Sequence, residues 1–173
     1  MIIGLTGYAG SGKTTIADAL LREGFERRKF AGPLKGMMRS LLFAQGAELE
    51  HIERMIEGDL KEVPTAFLNG ATPRHAMQTL GTDWGRALIC ENLWSDAATR
   101  ELMPHHNVVF DDVRFQNEAD AIRAEEGRVI RLHRPGVGPV NQHVSEEPPE
   151  ADFDVTNHGS PKQVALTILR TIL

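Results

Sequence analysis

Gly7-Tyr8-Ala9-Gly10-Ser11-Gly12-Lys13-Thr14 satisfies the pattern G-x-x-x-x-G-K-[ST] in full. Before it, Met1-Ile2-Ile3-Gly4-Leu5-Thr6 is a short apolar run stopped by glycines, which suits a buried parallel strand better than an amphipathic helix of that length. After it, Thr15-Ile16-Ala17-Asp18-Ala19-Leu20-Leu21 carries apolar residues at helical spacing. The unit reads as strand, phosphate-binding loop, helix. Its chemistry needs glycines so that backbone N–H groups turn inward on phosphate oxygens, and a helix N-terminus to add positive potential. It also needs a lysine reaching the β and γ phosphates and a hydroxyl for Mg²⁺. Gly7, Ala9, Gly10, Ser11, Gly12, Lys13, Thr14 and Thr15 are therefore the expected ATP-binding residues, with Lys13 catalytic and Thr14 a metal ligand. A Gly-rich turn matching by chance would not be flanked by this strand and this helix.

Outward from the loop, strand and helix patterns alternate. Glu26–Phe30 reads as a short strand. Pro33 starts a helix running from Leu34 toward Gln45, with Gly46 as its stop, and Glu48–Glu57 reads as another. Thr72-Pro73 opens a helical region through Ile89 that Gly81 and Gly85 are expected to break, and Leu93–Leu102 reads as helix. Val108-Val109-Phe110 is a buried strand ending in Asp111-Asp112. Glu118–Glu126 is a helix stopped by Gly127, and Arg128–His133 alternates as a strand. The Pro- and Gly-rich stretch 134–150 is a loop and a candidate lid. Phe153–Thr156 is a last strand, and Ser160-Pro161 opens a closing helix. The pattern predicts an α/β fold, a parallel sheet covered by helices in three layers, with ligands at the C-terminal strand ends. Those ends carry the phosphate loop, Asp111-Asp112, the 134–150 loop and Asn157-His158-Gly159, four elements expected to share one crevice.

At 173 residues, with 41% hydrophobic and 25% charged residues, the chain is predicted to be one globular domain, 1–173. Its apolar runs fall short of the roughly 18 residues of a membrane helix. One cysteine allows no intramolecular disulfide, and the start lacks a signal peptide's basic region and cleavage site, so a cytoplasmic location is expected, host cytoplasm if phage-encoded. Nineteen basic against 24 acidic residues disfavours a surface built wholly for nonspecific nucleic-acid binding. Between Arg22 and Arg39, however, six basic residues meet two acidic ones. The oligomeric state stays open between monomer and homodimer.

Several strings together carry a resemblance. Ala31-Gly-Pro-Leu-Lys35, Thr72-Pro-Arg74, Gln78-Thr-Leu-Gly81-Thr-Asp83 with Arg86, Asn92-Leu-Trp94 and Asp112-Val-Arg-Phe-Gln-Asn-Glu118 run in order along the chain. With Ser145-Glu146, Asp154 and Asn157, they resemble the phage-type deoxynucleoside monophosphate kinases, P-loop enzymes of the nucleoside monophosphate kinase fold. The resemblance implies transfer of the ATP γ-phosphoryl group to an acceptor held by a helical region, here 34–103, under a mobile lid. It also implies ATP and Mg²⁺ as cofactors, Asn157 on the nucleotide side, and Lys35, Arg74, Gln78, Asp83 and Arg86 on the acceptor side.

Arg74 and Arg86 suit a monophosphate because a planar guanidinium grips phosphate oxygens in pairs; the bland reading is a surface salt bridge with Asp83 or Glu91. Adjacent carboxylates on a strand point to opposite faces, so one of Asp111 and Asp112 is expected at the metal and the other away from it. Asp111 is taken as the ligand and Asp112, with Arg114, as catalytic. Trp94 is expected in the core, Cys90 as a small buried hydrophobe, His105, His106 and His143 without a role, and 146–150 as a solvated rim. Three functions compete, of which the first is the one expected and the second its alternative. The first is a kinase making diphosphates from free deoxynucleoside monophosphates. The second is a kinase of the same shape acting on the hydroxymethyl group of a modified pyrimidine, 5-hydroxymethyluracil type, in phage DNA. The third is a noncatalytic nucleotide switch. Other P-loop phosphotransferases, such as a dephospho-coenzyme A kinase, share the opening Gly-Leu-Thr-Gly.

Overall fold

The computed structural model describes residues 1–100, 102, 106–138 and 148–172. The chain divides into two compact units, Met1–Phe30 with Ala98–Leu173, and Ala31–Ala97.

The first unit is built on five strands: β1 (Ile2–Thr6), β2 (Glu26–Arg28), β3 (Val108–Phe110), β4 (Arg128–His133) and β5 (Phe153–Thr156). They pair in the order β2-β3-β1-β4-β5, every pair parallel. Period-2 alternation sends neighbouring side chains to opposite faces. Ile3, Leu5, Val109, Ile130, Leu132 and Val155 pack with Ile16 and Leu20 of α1 (Lys13–Arg22) and Val164, Ala165 and Ile168 of α7 (Pro161–Ile172). Val108, Phe110 and Val129 pack on the other side with Ala119 and Ile122 of α6 (Gln116–Ala124). The predicted three-layer parallel α/β architecture is therefore present. Gly4 makes the α6 layer fit, because a Cβ there would meet Ile122 Cδ1 at 2.4 Å. β1 lies between β3 and β4, so the loops leaving β1 and β3 open side by side at the sheet's C-terminal edge, where ligands bind in open α/β sheets.

The second unit is helical: α2 (Gly32–Ala44), α3 (Leu49–Ile56), a short 3₁₀ turn at Ala66–Leu68, α4 (Pro73–Thr79) and a π-helical segment, Leu80–Ile89. α5 (Leu93–Thr99) crosses the division between the units. The unit's core is Leu34, Met38, Leu42, Ile52, Met55, Ile56, Met77 and Trp94. Thr72 caps α4 by accepting from the His75 N–H at 3.2 Å, with Pro73 next, as the sequence pattern predicts.

Three expectations are corrected here. Gly81 and Gly85 do not break the helix; the chain continues through them with a wider winding, and their missing side chains admit close neighbours instead. Cys90 is exposed, because it leaves the π segment in extended backbone rather than continuing a buried face. Pro149, expected on a solvated rim, is buried, and its carbonyl accepts from Arg131 Nη2 at 2.9 Å. Most of the candidate lid, residues 139–147 with His143, Ser145 and Glu146, lies outside the described residues, as does His105. Among the described residues no helix is long and apolar enough to cross a membrane.

Candidate active site

The loop between β1 and α1 is held open by its glycines. Gly7 (φ 131°) and Gly12 (φ 95°) adopt backbone that disfavours side chains, and neither has room for one. A Cβ on Gly7 would lie 2.6 Å from the Leu132 carbonyl, and one on Gly12 would lie 2.3 Å from Asn157 Nδ2. Asn157 Nδ2 donates to the Ser11 carbonyl at 2.7 Å, and Arg134 Nη1 to the Gly10 carbonyl at 3.3 Å. Engaging loop carbonyls from outside favours the arrangement in which the loop N–H groups face an anion. Asn157 thus supports the loop's backbone. Ala9, Gly10, Thr14 and Thr15 are exposed, and Ser11 is buried with its Oγ unpartnered.

Lys13, the first residue of α1, donates Nζ to the Gly7 carbonyl at 2.7 Å and the Tyr8 carbonyl at 3.0 Å. Burial holds its pKa below the ordinary lysine value. Arg114 lowers it further by repulsion, and Asp111 partly offsets both. A desolvated cation beside a second cation gains from an incoming polyanion. Between them lies a cavity of about 150 Å³ lined by Thr6, Gly7, Tyr8, Ala9, Lys13, Val113, Arg114 and Pro148. That is below the roughly 300–1,000 Å³ of pockets holding whole small ligands.

Asp111 and Asp112 follow β3 and diverge, as their adjacency requires. The Asp111 side chain is 2% exposed, its Oδ2 lies 3.5 Å from Arg27 Nε, and its Oδ1 has no hydrogen-bond partner. A buried, unpartnered carboxylate oxygen is what a hard cation or its water shell would satisfy. With the exposed Thr14 hydroxyl at the start of α1, the residues present fit Mg²⁺. Asp112 turns its Oδ1 to the Phe30 N–H at 2.9 Å, tying the end of β2 to the end of β3. Arg114 is placed by its backbone. Buried Glu118 accepts from the Arg114 N–H at 2.8 Å and the Phe115 N–H at 3.1 Å, so the first turn of α6 fixes the loop that carries Arg114.

The expected acceptor-side residues all lie in Ala31–Ala97. Lys35 Nζ pairs with Glu57 at 2.7 Å, joining α2 to α3. Arg74 pairs with Glu62, rather than with Asp83 or Glu91. Gln78 is an exposed residue of α4, and Asp83 and Arg86 lie on the π segment.

The sequence profile of the deoxynucleotide monophosphate kinase family matches residues 37–168. The chain belongs to this family. It is also 38% identical over 160 residues to a protein of Acanthamoeba polyphaga mimivirus provisionally named a deoxynucleotide monophosphate kinase, covering 84% of this chain and 80% of the relative. Membership makes the protein a phosphotransferase and a nucleotide kinase. Solved structures agree on the fold. TT1252 from Thermus thermophilus superposes with a TM-score of 0.55 at 18% identity, covering 100% of this chain and 97% of the other. A dephospho-CoA kinase from Campylobacter jejuni gives 0.52 at 12% identity, covering 99% and 96%.

One residue of this kinase's site escaped the sequence reading. Arg27, there only counted among the six basic residues between Arg22 and Arg39, reaches across from β2. Its Nη2 donates to the Thr14 carbonyl at 3.2 Å and to Asp18 Oδ1 at 2.5 Å, while Nε faces Asp111. Only the parallel pairing reveals it, since it sets Arg27 opposite Val109, two residues before Asp111. Arg27→Met should cost about 1–3 kcal/mol in chemical denaturation by leaving the Asp111 charge less compensated. Unchanged stability would show that the Asp111 carboxylate does not depend on this guanidinium.

Proposed function

We propose that the protein transfers the γ-phosphoryl group of ATP to a free deoxynucleoside monophosphate, giving the diphosphate. The cavity lined by both Lys13 and Arg114, beside the P-loop of a chain of this family, supports the reading. The loop N–H groups and Lys13 bind the donor's phosphates. Lys13 and Arg114 flank the volume through which the transferring group passes, where its charge is spread over three oxygens. Mg²⁺, when bound, neutralises donor charge, and Thr14 and Asp111 are the residues that would hold it. The acceptor phosphate is already ionised, so no general base is required. The site's work is to position two anions and exclude water. Lys35, Arg74, Gln78, Asp83 and Arg86 supply the acceptor side, with Arg74 exchanging Glu62 for a phosphate.

The DNA-directed alternative needs a basic track. In the Arg22–Arg39 segment, Arg27, Arg28 and Arg39 are engaged by Asp18, Glu26 and Glu53, so DNA binding there would have to exchange ion pairs, as acceptor binding at Arg74 would.

The test is labelled ATP with each free deoxynucleoside monophosphate, its ribonucleotide counterpart, and DNA containing a hydroxymethylated pyrimidine. We expect label in a free deoxynucleoside diphosphate. Label in DNA alone would replace the proposal with the alternative. On the true acceptor, Arg74→Ala and Arg86→Ala should each raise KM about tenfold or more, the scale of one lost hydrogen bond to a charged group, with ATP affinity nearly intact. Equal loss of ATP affinity in both would move them to the donor side or to folding.

A further inference from the structure

The π segment Leu80–Ile89 carries two of the proposed acceptor residues, Asp83 and Arg86, and its winding is unusual. Hydrogen bonds from residue i+5 to residue i are rare, occur mostly as single turns inside α-helices, and concentrate at functional sites. Ten residues in this winding need support from outside the segment. Trp94 of α5 supplies it at two points. Its indole Nε1 donates to the Gly81 carbonyl at 2.9 Å. Its ring lies against Gly85, where a Cβ would meet Nε1, Cε2 and Cζ2 at 2.5 to 2.6 Å. The backbone after Gly85 closes in the wide register, with the Cys90 N–H donating to the Gly85 carbonyl at 2.9 Å. Leu34 of α2 closes on Gly81, where a Cβ would sit 2.8 Å from its Cδ1. Trp94 is buried and its indole has one N–H to satisfy, so this bond fixes the ring as well as the segment.

We propose that Trp94 locks the wide register of Leu80–Ile89 through Gly81 and Gly85 and thereby acts as a positioning residue, setting where Asp83 and Arg86 meet the acceptor monophosphate. The positioning half rests on the acceptor role proposed above; the register half does not. Returning the segment to 3.6 residues per turn would swing Arg86 around the helix axis by roughly a quarter of a turn relative to Gly81. Trp94 would then control acceptor affinity without touching the acceptor. A tryptophan that merely fills the core would not.

The experiment uses the full chain with Trp94→Phe, which keeps an aromatic ring but removes the donor, and Gly85→Ala, which pushes a methyl group into the ring's place. ATP affinity, read by calorimetry, reports that the phosphate loop is intact and should stay within about twofold. Amide hydrogen exchange across 80–89 should quicken in both variants, and the acceptor KM should rise about ten- to a hundredfold with kcat changed far less. Exchange across 80–89 unchanged in Trp94→Phe would overturn the lock. Faster exchange with an unchanged acceptor KM, in a protein whose Arg86→Ala variant does raise that KM, would overturn the positioning role. If Arg86→Ala leaves the acceptor KM unmoved, the acceptor assignment fails and positioning with it, while the exchange result still decides the lock.

Discussion

Lys13→Ala should lower kcat by about a hundredfold or more while weakening ATP binding much less, because the two effects draw on different groups. The loop N–H groups hold the ground-state phosphates whether or not the lysine is present. On the proposed function, the Lys13 ammonium instead meets charge that grows on the phosphoryl oxygens during transfer. A fixed charge costs no reorganisation at the moment of reaction. Its attachment to the Gly7 and Tyr8 carbonyls keeps it at the mouth of the loop, and the glycines that admit this geometry admit no substitute. The direction of its pKa gives an independent handle. Burial first, then Arg114, lower it against the opposing pull of Asp111, so the charged form is lost at a lower pH than for a free lysine. kcat/KM reports free-enzyme groups, so its alkaline limb should fall below the ordinary lysine value. In Arg114→Gln, with the repulsion gone, that limb should move to higher pH. Turnover near wild type in Lys13→Ala would overturn the site assignment. A limb that Arg114→Gln leaves in place would show that Arg114 does not act on this lysine.

What the sequence made legible follows from how local each feature is. The strand, loop and helix of 1–22 are readable because every requirement is a residue type at a fixed offset: glycines at 7 and 12, lysine at 13, hydroxyl at 14. The five strands are readable because Val108–Phe110 and Arg128–His133 keep a strand's burial pattern and are bounded by carboxylates or Gly127. The winding of 80–89 was not, because it is decided by Trp94 and Leu34 from elsewhere in the chain, and a glycine that admits a neighbour looks in sequence like a glycine that ends a helix. Cys90 was misjudged for the same reason, its exposure being set by where the wide winding stops. Arg27 was invisible because only the register of β2 against β3 shows that it faces Asp111. The choice between the two aspartates could be framed from adjacency, whereas the contacts that distinguish them, the Phe30 N–H on Asp112 and the unpartnered Oδ1 of Asp111, are set by tertiary packing.

That division gives the second large effect. Asp111→Asn should lower kcat/KM at low Mg²⁺ by about a hundredfold, with partial recovery as Mg²⁺ is raised, whereas Asp112→Asn should be nearly silent. The buried Asp111 Oδ1 has no partner, and Oδ2 faces Arg27. An amide at this position removes the negative charge and offers one oxygen where the carboxylate offered two. Calorimetry should show the same loss directly, as ATP affinity in the presence of Mg²⁺ falling toward its value without the metal. Asp112 differs because its hydrogen bond is one that an amide oxygen can still accept from the Phe30 N–H, leaving the junction of β2 and β3 in place. The proton chemistry of the two kinase readings sharpens the comparison. A monophosphate brings its nucleophilic oxygen already ionised and needs no base, so no carboxylate beyond the metal ligand is essential. An alcohol must lose its proton during transfer, and removing a positioned base costs about 10²–10⁴-fold at any metal concentration. A collapse of activity in Asp112→Asn that no Mg²⁺ concentration relieves, with ATP still bound, would therefore overturn the free-nucleotide reading in favour of an alcohol acceptor. A collapse confined to Asp111→Asn and relieved by Mg²⁺ would leave Asp112 with the task the structure gives it, joining two strand ends beneath the site.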